Sequence, residues 1–270
     1  MIFVGMFAAA VVAGLIGSML GIGGGIMMVP ILTLVFGLPI KTAIATSMVC
    51  VIATSAAGQL SFVRRRLTNA RLGFYLEMGS AAGAVVGGLV AVSADGRVLQ
   101  ACFAAVLLYV VWLTRRRAEG APPASSGVLE ASYVDPVDQR VYTYGARRAG
   151  LGLALSVGAG ALASLFGVGG GAFKVPTMTL VMGVPLRPAI ATSNLMIGVT
   201  AAIGAAIFFG HGFVVAEYVV PAALGVLLGA QLGARLVAYL SLRVLGMVFQ
   251  VVLSVLALLM IAEAVAGGLR

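Results

Sequence analysis

Ten apolar runs account for most of this 270-residue sequence. They cover residues 2–20, 26–38, 42–63, 72–93, 98–114, 149–166, 170–184, 188–210, 218–240 and 244–266. Only 9% of the residues are charged, against about a quarter in a soluble domain. A chain this apolar is incompatible with a soluble enzyme, a nucleic-acid binder or a disordered chain. It predicts an all-α, multi-pass protein of the inner (plasma) membrane, surrounded by lipid.

Two of the runs, 26–38 and 170–184, are shorter than the roughly 20 residues that a membrane span needs. We expect them to form steep short helices or re-entrant half-helices, and we expect the other eight to span. The run at 2–20 has no basic region before it, so it is interpreted as a membrane helix and not as a cleaved signal.

The two halves of the chain repeat each other at an offset of 146 residues. The glycine-rich segment 21–25 recurs at 167–171, and the segment 43–47 recurs at 189–193. Over residues 17–47, 17 of 31 positions are identical to their counterparts, including Gly, Pro, Thr and Ser positions that apolar composition alone would not reproduce. We infer an internal duplication, in which each repeat has four long helices and one short helix that follows the glycines.

The domain boundaries follow from this repeat. We predict a first membrane repeat at 1–114, a cytoplasmic linker at 115–148 and a second membrane repeat at 149–270. The linker is polar, contains Pro122 and Pro123, and has no sustained apolar period.

The distribution of basic residues favours an inverted arrangement of the repeats. If every run crosses the membrane, the halves are inverted, with 13 basic residues inside and four outside. If the short runs are re-entrant, the halves are parallel and the split is 11 to six. In the inverted arrangement Arg64 is cytoplasmic and His211 lies on the opposite side.

The two glycine breaks are the main candidates for a binding site. Gly23, Gly24 and Gly25 precede one short run, and Gly169, Gly170 and Gly171 precede the other. Glycine lets the backbone leave helical geometry, and the first N–H groups of a following helix suit an anion. Broken helices that face each other near the midplane are the usual substrate site of transporters. The alternative is close helix packing by small residues.

Hydroxyl groups line one face of the third run in each half. Ser47 and Thr54 share a face, and Ser193 and Thr200 repeat the pattern. These groups could donate to an oxyanion, or they could bond to carbonyls of their own helices and hold helices together. The residues that we assign to a substrate site are those near the start of each helix: Thr46, Ser47, Thr192, Ser193 and Asn194.

Charged residues inside apolar runs are costly and therefore indicate function. Lys174, whose counterpart is Met28, could supply a fixed cation to the anion site, or it could snorkel to the membrane interface. Glu77 and Glu263 could carry protons, but we expect interfacial positions for both, and for His211 an exposed loop position.

Other chemistry is not indicated. Cys50 and Cys102 lie in apolar runs and form no metal motif, so we expect no cofactor and no metal. The lone histidine has no serine in a nucleophile setting, so we expect no enzymatic activity. Arg64–Arg66 is interpreted as a topology signal and not as a nucleic-acid patch. A homo-oligomer remains open.

The paired motifs at 21–30 with 43–47, and at 167–176 with 189–194, resemble those of the TauE/SafE sulfite-exporter family of bacterial permeases. The resemblance covers nearly the whole chain outside the linker. It implies export of sulfite, sulfoacetate or another sulfur-containing or organic anion. The alternatives are import of a similar anion, or a non-transporting membrane assembly factor whose linker binds a partner.

Overall fold

The structure is a computed structural model that describes residues 2–20, 23–64, 66–115, 127–134, 140–236, 251, 254–260 and 262. Its first half contains the helices α1 (Ile2–Leu20), α2 (Gly25–Pro30), α3 (Ile40–Arg64), α4 (Ala70–Ser93) and α5 (Gly96–Arg115). Its second half contains α6 (Ala149–Phe166), α7 (Gly171–Pro176), α8 (Leu186–Gly210) and α9 (Ala216–Leu236). Between the halves lie the strands β1 (Val128–Val134) and β2 (Val141–Ala146).

Five of the described helical segments are long and apolar enough to cross a membrane, judged by length and composition. They are Ile40–Gln59, Ala70–Ser93, Ala149–Phe166, Leu186–Gly210 and Ala216–Gly233. The chain is therefore an essentially all-helical membrane protein. Within α1 and α5, which lie in two other runs that we expected to span, the apolar stretches Ile2–Ser18 and Gly96–Trp112 are shorter. The run at 244–266 falls largely outside the described residues.

Both short runs form short helices, as the sequence predicts. Each begins directly after a glycine break, and each changes at a proline from an α-helix to a π-helical turn, at Ile31–Val35 and at Thr177–Val181. Pro30 and Pro176 have no N–H, and a proline ring crowds the carbonyl one turn earlier, so the hydrogen-bond register widens at this point.

Glycines set the closest helix contacts, and these contacts join one half of the chain to the other. A Cβ added to Gly83 of α4 would overlap the carbonyl oxygen of Val157 in α6. A Cβ added to Gly229 of α9 would overlap the carbonyl oxygen of Val11 in α1. Gly83 and Gly229 are counterparts at the 146-residue offset, and so are Val11 and Val157. Equivalent contacts therefore hold α4 on α6 and α9 on α1.

Helices α3 and α8 run antiparallel through the middle of the bundle. At one end, Lys41 Nζ of α3 lies 5.4 Å from the ring centroid of Phe213, just after α8. At the other end, the Asn69 N–H, just after α3, donates to Thr192 Oγ1 of α8 at 3.0 Å. The start of each helix therefore lies beside the end of the other.

Each short helix folds back along the helix before it. In the first helical hairpin (α1–α2), a Cβ added to Gly24 would lie 3.2 Å from Ala13 O, and one added to Gly5 would lie 3.5 Å from the Phe36 ring. In the second helical hairpin (α6–α7), a Cβ added to Gly170 would likewise lie close to Ala159 O. The first helical hairpin opens toward the start of α3 and the second toward the start of α8, so the two enter from opposite ends of the bundle.

The segment predicted only as a polar linker contains an antiparallel β-hairpin, β1–β2. Its buried side chains are those of Tyr133, Tyr144 and Ala146, and they pack in one cluster with Leu72 of α4 and Ala189 of α8. Burial raises the pKa of the Tyr144 hydroxyl to about 12. So few side chains of the hairpin are buried that no clear apolar alternation marks its strands, and the sequence therefore predicts only a polar linker here.

Candidate functional site

The two glycine breaks meet at the centre of the bundle. A Cβ added to Gly25 would lie 2.5 Å from the carbonyl oxygen of Gly167 and 2.5 Å from Val51 Cγ2. Gly23 and Gly169 both face the side chains of Val51 and Ile197, which lie midway along α3 and α8. The folded chain thus brings together glycines that are about half the sequence apart.

The backbone of the breaks requires glycine at specific positions. Gly23, Gly169 and Gly170 have φ angles of +76°, +74° and +81°, which residues with a Cβ rarely adopt. Gly24, in contrast, has a φ of −66° and caps α2 in a helical conformation. The two breaks are therefore similar in position but not identical in backbone geometry.

Ser47 connects the two breaks. Its Oγ lies 2.7 Å from Gly167 O and 3.1 Å from Gly25 O, so its hydroxyl donates between the carbonyls of the two breaks. The hydroxyls of Thr46 and Ser193 are also buried, and they have no hydrogen-bond partner among the described residues. Buried hydroxyls without a partner are uncommon in native structures, and these two are available to a ligand.

The other predicted hydroxyl and amide residues hold helices together. Thr192 Oγ1 accepts a hydrogen bond from the Asn69 N–H. Asn194 and Ser55 form a reciprocal pair, in which Ser55 Oγ donates to Asn194 O at 2.6 Å and Asn194 Nδ2 donates to Ser55 O at 3.0 Å. Thr54 bonds back to its own helix, with Oγ1 2.9 Å from Val51 O. For these residues the structure favours the second interpretation of the sequence, in which polar side chains bond to the backbone and hold helices together, over contact with a substrate.

Lys174 does not snorkel. Its side chain is 1% exposed, and its Nζ lies 3.0 Å from Glu77 Oε2 of α4. The ammonium also donates to Thr200 Oγ1 of α8, and that hydroxyl lies 2.6 Å from Glu77 Oε1. Lys174 Cε lies 3.4 Å from the position of a Cβ on Gly170, so the side chain folds back toward the second glycine break.

The interfacial position expected for Glu77 was wrong, because Glu77 is buried and paired with Lys174. Its signal in the sequence was an isolated acid inside a long apolar run, but its partner lies 97 residues away and only the fold joins them. At the 146-residue offset, the counterparts of Lys174 and Glu77 are Met28 and Ala223. The ion pair therefore has no equivalent in the other half.

Two further expectations concern Glu263 and His211. Glu263 lies outside the described residues. His211 is exposed in the turn after α8, as expected. Among the described residues, no group of three His, Cys, Asp or Glu side chains is arranged to hold a metal ion.

A cleft of about 490 Å³ opens at the end of the bundle where α3 and α5 begin. Lys41, Asp95, Arg97 and Phe213 are among the residues that line it, and none of the predicted site residues does. The β-hairpin covers the opposite end, where α4 and α8 begin. Among the described residues, the cleft and the β-hairpin therefore lie at opposite ends of the bundle.

Comparisons with known proteins place the chain in a family. A family described as "Sulfite exporter TauE/SafE" matches residues 6–260. The chain is 27% identical to the "Probable membrane transporter protein YunE" of Bacillus subtilis (strain 168), over 98% of this chain and 99% of that protein. It is also 27% identical to the "Probable membrane transporter protein YdhB" of the same organism, over 83% of this chain and 84% of that protein. No solved structure matches. The chain belongs to the sulfite exporter TauE/SafE family.

Proposed function

We propose that this chain exports a small sulfur-containing or organic anion, of the sulfite or sulfonate class, across the plasma membrane. The observation that carries the proposal is the meeting of the two glycine breaks against Val51 and Ile197. The matched family and the names of both Bacillus relatives support transport as the general activity.

The antiparallel course of α3 and α8 supports an inverted repeat. Counterpart helices of two parallel repeats would run in the same direction, whereas Lys41 lies beside Phe213 and Asn69 beside Thr192. The distribution of 13 basic residues inside and four outside favours the same arrangement.

A small oxyanion matches the donors at the centre. The hydroxyls of Thr46 and Ser193, the neighbour and the counterpart of Ser47, are buried without a partner among the described residues, and hydrogen bonds to a charged group contribute about 1.5–3 kcal/mol each. Val51 and Ile197 at the breaks are fully buried, and such apolar surroundings strengthen hydrogen bonds.

Two helical hairpins that enter from opposite ends and touch at their turns suit alternating access. Movement of one would open the centre to one side while the other still closed the opposite side. A negative-inside potential favours outward movement of an anion by about 2.3 kcal/mol per charge per 100 mV.

Flux measurements in proteoliposomes test this function. We expect uptake or release of sulfite or sulfoacetate, faster than in protein-free vesicles and accelerated by a potential that is negative on the anion-loaded side. Gly25→Val should abolish flux, because its side chain would collide with Gly167 O and Val51. Gly158→Val is the matched control, because an added Cβ at Gly158 of α6 meets no atom within 4 Å.

Three outcomes would contradict the proposal. Unchanged flux in Gly25→Val would contradict a transport site between the two glycine breaks. Flux that runs only inward under physiological gradients would favour an importer. No flux of sulfite, sulfoacetate or sulfate with correctly inserted protein would favour a non-transporting assembly factor.

A further inference from the structure

The buried ion pair between Lys174 and Glu77 has a consequence for how an anion can bind. Glu77 Oε2 lies 3.0 Å from Lys174 Nζ, so a carboxylate already occupies the position where an incoming anion would pair with the ammonium. Both side chains are buried, at 1% and 7% exposed. In this arrangement Lys174 and Glu77 together contribute no net charge.

An anion that takes the place of the Glu77 carboxylate would leave that carboxylate buried without a cation. Removing one partner of a buried ion pair is strongly unfavourable, because it leaves an uncompensated buried charge. Uptake of one proton by Glu77 removes this cost: the carboxylate becomes a neutral acid, and the ammonium of Lys174 pairs with the anion. The charge of the whole site then changes by the charge of the anion plus one proton.

The surroundings of Glu77 can accept the neutral acid. Thr200 Oγ1 lies 2.6 Å from Glu77 Oε1 and 3.1 Å from Met196 O. When Glu77 is protonated, the Thr200 hydroxyl can turn its proton to Met196 O and accept the proton of the acid. Thr200 keeps its partners in the exchange, while Glu77 Oε2 gives up its hydrogen bond from Lys174 Nζ to the anion.

Among the described residues, no second acidic side chain lies on α4 or on the helices packed against it. Helix α4 packs against α6 and α8. Helix α6 carries no ionisable side chain, and the one charged residue of α8, Arg187, lies 13 residues before Thr200. On α4 itself, Arg71 and Tyr75 are its nearest ionisable neighbours in sequence, and Lys174 is the charged group of α7.

We infer that Glu77 is a proton-binding site linked to anion binding at Lys174, so that one proton is bound with each anion. This inference rests on the proposed function and adds a coupling ion to it. A dianion that moves with one proton still carries one net negative charge, so the membrane potential continues to favour its export.

The test measures proton uptake when an anion binds. Purified protein in lightly buffered detergent solution receives sulfoacetate, whose two acidic groups stay ionised from about pH 6 to 8, and an indicator reports the change in pH. We expect uptake of about one proton per bound anion, and an affinity that rises by up to tenfold for each unit by which the pH falls, as linkage requires.

Three variants separate coupling from structural damage. Glu77→Gln imitates the neutral acid, and it should bind sulfoacetate without proton uptake and with an affinity that does not change with pH. Glu217→Gln changes an exposed acid at the start of α9 and should keep the wild-type proton uptake. If Glu77→Gln does not fold, Glu77→Ala combined with Lys174→Met copies the counterparts Ala223 and Met28. That double variant should fold and take up no proton.

The outcomes distinguish a failure of this inference from a failure of the proposed function on which it rests. Wild-type protein that binds sulfoacetate with no proton uptake overturns the inference and leaves the transporter proposal intact. Proton uptake that persists in Glu77→Gln, or in the double variant, also overturns it. Wild-type protein that binds neither sulfoacetate nor sulfite contradicts the proposed function, and the inference falls with it.

Discussion

Val51 and Ile197, counterparts on α3 and α8, lie against the same two glycines, Gly23 and Gly169. Each side chain therefore contacts the glycine break of its own half and that of the other half. A change in the position of either helical hairpin must change the packing of both residues, because interiors tolerate little overlap. This shared contact is the structural basis for treating the two breaks as one site.

The two breaks should respond differently to alanine. Gly170 has a φ of +81°, and its added Cβ would lie 2.9 Å from Ala163 Cβ, so Gly170→Ala should lose about 1–2 kcal/mol or more of unfolding free energy. Gly24 has a helical φ of −66°, and an added Cβ would lie 3.2 Å from Ala13 O, which must give way only slightly, so Gly24→Ala should cost less than Gly170→Ala. Thermal unfolding in detergent measures the difference. Equal destabilisation by both changes would contradict this geometry.

Ser47 and Ser193 should separate structural from binding roles. Ser47→Ala removes a buried donor between Gly25 O and Gly167 O and should lower stability by about 1–3 kcal/mol. Ser193→Ala removes a hydroxyl without a partner among the described residues, so stability should change little while anion affinity falls. Thermal unfolding with and without sulfoacetate reports both effects. An unchanged affinity in Ser193→Ala would remove Ser193 from the site.

Replacement of Lys174 alone should be more damaging than replacement of the pair. Lys174→Met leaves Glu77 buried without its cation, with an expected loss of about 3–5 kcal/mol. Adding Glu77→Ala should recover most of that stability, because neither charge then remains. Met28 occupies the equivalent position in the first half, but the ion pair with Glu77 makes the single replacement costly. Additive losses in the double-mutant cycle would contradict a direct interaction.

Asn69 should hold the β-hairpin to the membrane helices. Its Oδ1 accepts from the Leu72 N–H and caps α4, and its Nδ2 donates to Leu129 O of β1. Asn69→Ala should therefore lower stability and expose the hairpin to proteases. Asn69→Asp keeps the cap acceptor but loses the donor, so it should loosen the hairpin while preserving α4. If Asn69→Asp leaves proteolysis unchanged, the bond to Leu129 does not hold the hairpin.

The inverted arrangement predicts which positions face the cytoplasm. In a background that lacks Cys50 and Cys102, a cysteine at His211 should react with a membrane-impermeant thiol reagent in whole cells, and a cysteine at Glu130 of β1 should not. Both residues are exposed in the structure, so access to the reagent depends on the side of the membrane. Labelling of both positions from outside would contradict the inverted arrangement.

The short helices and both glycine breaks could be predicted from the sequence, because they depend on local composition and on an internal repeat. The membrane class follows from the same information, since apolar length and charge density are properties of the chain itself. The β-hairpin could not be predicted, because the few side chains that it buries pack against helix ends that are distant in sequence.

The chain by itself determined that Gly23 and Gly169 interrupt helices, because glycine alone supplies positive φ angles without strain. The tertiary structure decided what those breaks contact. Ser47 reaches Gly167 across 120 residues, and Lys174 reaches Glu77 across 97. Such pairs depend on helices from the two halves packing together, and no local pattern specifies that, because a polar side chain in an apolar run has the same periodicity whether its partner is lipid, water or another helix.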